Sequence, residues 1–252
     1  MIFGFENHSL PKPLKLTKNL QDRLTEKFKS TGAAVWNRDF IKDSLLTMSN
    51  RKCCYCESIL LNESNFLEVE HFHPKNKYVD EVLEWTNLLP SCKRCNVQKG
   101  PHDTVCEPII NPCEVDPKHH LTTREYWISG IGILGKRTVY ILDLNNLKLL
   151  TPRIQVGIQI NQRLDSIIDQ VIKYIDSTSK TTEDRFKLIN GLKALMMTGT
   201  PEKGYASTVA SCIMNSGNYK AIRAFLSEAG LWDDELIQLE RELNAIALDV
   251  SH

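Results

Sequence analysis

The chain has 252 residues, 42% of them hydrophobic and 25% charged, a balance ordinary for a soluble folded protein and enough for one large domain or two modest ones. Lysine plus arginine equals aspartate plus glutamate at 31 each, which gives no overall basic excess for gripping a polyanion unaided. Apolar runs stop short of the ~18 residues of a membrane span, and the opening Met1-Ile2-Phe3-Gly4-Phe5-Glu6 lacks a secretion signature; both point to a cytoplasmic protein with reduced thiols and no membrane partner.

Residues 1–49 read as an arm followed by helices. Pro11 and Pro13 mark a loosely ordered stretch to residue 16; apolar residues then recur at helical spacing from Leu20 to Phe28 and from Ala33 to Met48, as in Trp36, Phe40, Leu45 and Leu46. Residues 50–120 hold the motifs. Leu67 and Val69 alternate with Glu68 and Glu70 as in a short strand, which places His71 at a strand end. Ser91 reads as the N-cap of a short helix from Cys92 to Val97, stopped by Gly100-Pro101, and Pro101, Pro108, Pro112 and Pro117 then punctuate an extended loop.

Residues 121–252 read as a mainly α-helical C-terminal region. The β-branched run Thr138-Val139-Tyr140-Ile141-Leu142 follows three glycines and predicts a strand or hairpin. Helical spacing then dominates over 156–175, 185–197, 205–214, 219–229 and 233–248. In the last of these, Leu236, Leu239, Leu243 and Ile246 form one stripe, expected to be intramolecular core.

Within 50–120, Cys53-x2-Cys56 and Cys92-x2-Cys95 are two knuckles of the kind that deliver four thiolates to a structural zinc ion. Simple zinc ribbons place about 15 to 20 residues between knuckles; here residues 57–91 intervene, enough for an active-site hairpin. Cys54 lacks the two-residue spacing to Cys56 and is a spare, and Cys212 is core. Cys106 and Cys113, near His102, His119 and His120, leave a second metal site conceivable, but their irregular spacing favours ordinary buried or surface roles.

Hydrolysing a phosphodiester takes a base for water, a cation for the developing charge, and donors for the remaining oxygens. Glu70 and His71 supply an adjacent carboxylate and imidazole, with His73 as the competing base. Asn96 adds a neutral oxygen suited to magnesium or manganese, and Lys75, Lys77, Lys93, Arg94 and Lys99 cluster nearby.

Taken together, these residues resemble the HNH (ββα-metal) endonucleases, whose pattern is met by Cys53, Cys56, Glu70, His71, Asn87, Cys92, Cys95, Asn96, Lys99 and Gly100. The resemblance implies an α+β fold with a zinc-stapled ββα-metal core, flanking N-terminal helices and a mainly helical C-terminal half. It also implies His71 as general base, Glu70 and Asn96 as ligands of a catalytic Mg2+ or Mn2+, and Asn87 as the residue that orients the hairpin and so the base. Two letters depart from the commonest pattern, Glu for Asp at 70 and Asn for His at 96; both keep oxygen ligation and favour a hard cation.

Glu70-His71-Phe72-x-Pro74-Lys75, the run Ile141-Leu142-Asp143-Leu144-Asn145 with Arg153, and the helical tail are similar to PtuB-type HNH proteins of the Septu and retron anti-phage systems. That resemblance implies a PtuA-type ATPase partner docked on the helical half, a retron reverse transcriptase with its RNA/DNA in some systems, and a nucleic acid substrate, DNA or RNA. The competing function is a non-catalytic zinc-finger-like module binding nucleic acid or protein, which has no need of the Glu70-His71 pair. Thiol-redox chemistry would require a thioredoxin-like βαβ setting that is missing here.

Overall fold

The computed structural model describes residues 12–60, 66–179 and 181–250; most of the predicted arm, residues 1–11, lies outside them. The chain divides into two compact units, one running to His120 and joined by Ser129–Leu144, the other made of Leu121–Ile128 and the chain from Asn145 onward. The architecture is α+β, with small sheets and a mostly helical remainder.

In the first unit, helix α1 (Lys18–Thr31) is capped by Thr17, whose side chain accepts from the Leu20 amide, and ends at Gly32 in the left-handed region. Helix α2 (Asp39–Met48) begins later than its apolar pattern suggests, because residues 33–38 fold into tight turns, with the Val35 amide on the Ala33 carbonyl and the Arg38 amide on that of Trp36. Strands β1 (Leu67–His71) and β2 (Leu88–Cys92) pair antiparallel, setting Glu70 opposite Leu89 and His71 opposite Leu88. Strand alternation sends Val69 into the core with Leu24, Ile41, Leu45, Leu83 and Leu88, while Glu68 and Glu70 face helix α3 (Lys93–Lys99).

Two local expectations are corrected in this unit. Ser91 is a residue of β2, and the cap of α3 is Cys92, whose sulfur accepts from the Cys95 amide at 3.5 Å; the strand runs directly into the helix, so the thiol takes the place of the expected hydroxyl. The predicted strand at 138–142 is instead the end of helix α4 (Gly132–Ile141). There the Thr138 hydroxyl donates to the Leu134 carbonyl one turn back and accepts from the Ile110 amide, both at 2.8 Å, so a buried tertiary contact overrides β-propensity.

The second unit holds a hairpin that the sequence did not announce, β3 (Leu121–Arg124) with β4 (Trp127–Gly130), the latter running on into the first unit. Its turn residues, Glu125 and Tyr126, sit at φ 47° and 71°, positions usually taken by Asn-Gly. The Tyr126 ring lies against Gly157 so closely that a Cβ there would fall 1.9 Å from Cε1. Gly157 belongs to helix α5 (Leu147–Asp176), which starts well ahead of Val156 because Asn146 caps it, and whose buried stripe runs through Ile160, Leu164, Ile167, Val171 and Tyr174. Helices α6 (Thr182–Met196), α7 (Ala206–Asn215), α8 (Gly217–Glu228) and α9 (Asp234–Ile246) complete the unit. Leu236, Leu239, Leu243 and Ile246 are all buried, so the α9 stripe is core. No helix among the described residues is long and apolar enough to cross a membrane.

Candidate active site and zinc staple

The first knuckle turns tightly before β1, with the Glu57 amide returning to the Cys53 carbonyl at 3.0 Å and Glu57 held at φ 61°. Cys92 ends β2 and Cys95 lies in the first turn of α3, so the ββ-to-α junction carries the second knuckle. The ligand atoms of Cys53, Cys56, Cys92 and Cys95 all lie within 4.8 Å of one another, and those of Cys56 and Cys92 are 3.8 Å apart. Four sulfurs at 2.3 Å from a central ion would stand about 3.8 Å apart at the corners of a tetrahedron, so the spacing suits zinc. No other metal-sized cluster of His, Cys, Asp and Glu occurs among the described residues. Cys54 is buried outside the tetrad, Cys113 is buried and Cys106 exposed.

Glu70, His71 and Asn96 line one open cleft of about 330 Å³, with Pro74, Lys75 and Gly100. His71 closes β1 and is buried, its Nε2 3.0 Å from the Val82 carbonyl and its ring edge-on to Trp36 at 4.6 Å between centroids. A carbonyl can only accept, so Nε2 carries the hydrogen and Nδ1 keeps the lone pair. Burial pulls the imidazole down to about 4, with the Val82 carbonyl opposing, so the ring is neutral at pH 7.

Glu70 is buried, and burial lifts its carboxyl to about 7 against the pull of the Lys99 ammonium, 2.6 Å from Oε1. The same ammonium donates to the His71 carbonyl at 2.8 Å, so α3 grips the end of β1 at two points. Asn96 donates its amide nitrogen to Glu68 Oε2 at 2.6 Å. Glu68 thereby fixes which way the amide is turned and leaves its carbonyl oxygen, the atom a hard cation can use, uncommitted. A carboxylate and a neutral carbonyl oxygen lining one cleft form a donor set that fits Mg2+ or Mn2+.

Asn87 lies elsewhere in the hairpin. Its Oδ1 accepts from the His73 amide at 2.6 Å, and its Nδ2 donates to the carbonyls of His73 and Glu81, at 3.3 and 3.2 Å. It pins the chain that leaves β1, and it reaches the base only through the backbone, where the Phe72 amide bonds the Asn87 carbonyl. His73 is paired through Nδ1 with Glu81 at 2.6 Å and does not line the cleft. Two contributors escaped the sequence reading, Glu68 and Trp36, while Lys99 entered it as a letter of the HNH pattern without its two partners. The Glu-x-Glu alternation on β1 was the one available clue to the first, since both carboxylates must share a face.

The HNH endonuclease profile matches residues 53–102, the span from the first knuckle to just past α3. A Septu protein PtuB of Bacillus thuringiensis is 38% identical over 224 residues, covering 88% of this chain and 87% of its own. A second Septu protein PtuB, from Bacillus mycoides (strain KBAB4), is 30% identical over 168 residues, 54% of this chain and 57% of that one. No solved structure matches. Because the first similarity extends far beyond the ββα element, the chain belongs to the PtuB family of Septu proteins and is an HNH endonuclease.

Proposed function

We propose that the cleft hydrolyses phosphodiester bonds of nucleic acid with His71 as general base and a divalent cation held by Glu70 and the Asn96 carbonyl oxygen. The single observation that carries this reading is that one cleft is lined by a neutral imidazole with a free Nδ1 lone pair, a buried carboxylate and an oriented amide. Such a cation, when bound, offsets charge on the phosphate and the departing oxygen. His71 Nδ1 takes a proton from water as the water oxygen bonds to phosphorus, and the phosphorus–oxygen bond to the leaving group breaks, the departing oxygen taking a proton from solvent water. Val82 holds the tautomer and Trp36 the plane of the ring; Lys99 ties the strand end to α3, and Asn87 closes the loop beyond it. Zinc on the four cysteines is a scaffold in this scheme.

Residues 50–120 are read as the nuclease core behind the N-terminal helices of 1–49, with 129–144 as part of the same unit, and the rest of 121–252 as the platform for a partner. The relatives bear the Septu name, which favours an anti-phage complex with a PtuA-type ATPase; the neutral net charge of the chain agrees with a partner that supplies part of the grip on substrate. The test is cleavage of plasmid DNA and of RNA with magnesium or manganese, by wild type and His71→Ala, alone and with the ATPase. Loss of at least ~10²-fold in rate with zinc content and melting unchanged is expected. Retained cleavage by the purified variant overturns His71 as base.

A further inference from the structure

Among the described residues that line the cleft, Lys75 is the one lysine or arginine. Three of the cations clustered with it are already engaged: Lys77 pairs with Asp103, Lys99 with Glu70, and Arg94 with the carbonyls of Leu142 and Asp143. Lys75 has no carboxylate within ion-pair distance among the described residues. Its ammonium instead lies 5.3 Å from the ring centroid of Trp36, the same indole that packs against the His71 imidazole. An aromatic face holds a cation by roughly 0.5–2 kcal/mol, enough to give it a resting place and less than the about 1.5–3 kcal/mol of a charge-assisted bond. Its field reaches both functional groups, pulling Glu70 and His71 down.

Resting on the proposed phosphodiester chemistry of this cleft, we infer that Lys75 binds a non-bridging oxygen of the substrate phosphate, with Trp36 storing and aiming its ammonium. The side chain touches the reacting group, so Lys75 is a catalytic residue, and Trp36 is a positioning residue for both Lys75 and His71. Trp36 precedes the span matched by the HNH profile. The turn between α1 and α2 therefore bears on two residues of the cleft through the Trp36 ring. Lys75 is then a local cation for substrate in a chain that as a whole has no positive excess.

The experiment compares Lys75→Met, Lys75→Arg and wild type in full-length protein. Cleavage is expected to fall by about 10²-fold in Lys75→Met and to recover in Lys75→Arg, with zinc content and melting temperature close to wild type. Binding is measured separately, in a His71→Ala background that blocks turnover, with a duplex DNA oligonucleotide over a series of salt concentrations. Removal of one phosphate contact should lower the slope of log affinity against log salt by about 0.9, a readout that a packing role would not move. An unchanged slope overturns the inference, whatever happens to cleavage. Full activity in Lys75→Met alongside an inactive His71→Ala overturns it too and leaves the proposed function standing. A wild type that cleaves neither DNA nor RNA, alone or with the ATPase, would sink the proposed function, and the salt slope would still decide whether Lys75 holds phosphate.

Discussion

Replacing Lys99 by Met tests the electrostatics of the candidate site directly. Lys99 and Glu70 form an ion pair at 2.6 Å with their side chains 1% and 2% exposed. Removing one partner of such a pair leaves a buried charge and costs about 3–5 kcal/mol. Glu70 has a way out, because burial already places it near 7, well above the ordinary carboxylate value; without the ammonium its pKa rises further and the carboxyl takes up a proton. The sign follows from linkage. Between the ordinary carboxylate value and about 7, Glu70 holds its proton in the folded state and has lost it in the unfolded chain, so acidification across that window stabilises the folded form. In the variant this window extends upward from about 7. The deficit of Lys99→Met relative to wild type should therefore be full at alkaline pH and close by ~1.4 kcal/mol for each unit of acidification between the variant's Glu70 pKa and about 7. Urea melts of both proteins at intervals from pH 6 to 9 measure it. A magnesium titration at the alkaline end should restore part of the loss, since a cation bound at Glu70 replaces the missing charge. A deficit under ~1 kcal/mol at pH 9, or one that does not change with pH, would refute the buried pair as the main tie between α3 and β1.

Glu68→Leu frees the Asn96 amide to turn, so magnesium affinity measured by calorimetry should fall about 10–100-fold with zinc content unchanged; unaltered affinity would mean that Asn96 needs no orienting partner. Elemental analysis should find one zinc per chain, and Cys92→Ser should lose that zinc together with the native melting transition, because structural zinc binding is part of the folding free energy. Full zinc and an unchanged melt in Cys92→Ser would show that the tetrad is misassigned. In the second unit, Gly157→Ala drives a methyl into the Tyr126 ring and should cost about 1–3 kcal/mol; adding Tyr126→Ala should recover most of it, and strictly additive losses would refute that contact.

What could be read from the chain was whatever depends on spacing alone. Two Cys-x2-Cys knuckles are legible because a metal demands fixed intervals, and the adjacency of Glu70 to His71 is legible because a strand end can aim both at one cleft. The α9 stripe was legible for the same reason. What stayed hidden depends on partners distant in sequence. Nothing near Glu68 says that an amide 28 positions on will meet its carboxylate, and nothing near Trp36 says that its ring will hold both Lys75 and His71. The β3–β4 hairpin was missed because its left-handed turn uses Glu-Tyr, which carries no glycine or asparagine signal. The strand assigned to 138–142 failed because β-branched residues were read as propensity where Thr138 is a polar packing residue of a helix.

The path of the backbone also limits how the molecule can be dissected. Residues 129–144 belong with the nuclease unit although the segments on either side of them belong to the other, and Arg94 and Gln98 on the outer side of α3 bond to the carbonyls of Ile141, Leu142 and Asp143 at the far end of that insert. A fragment cut after residue 120 would keep every letter of the HNH motif and still strip α3 of these anchors. Inactivity in such a fragment would report a loosened helix rather than a missing catalytic group, so excision is a poor guide to what the C-terminal region contributes.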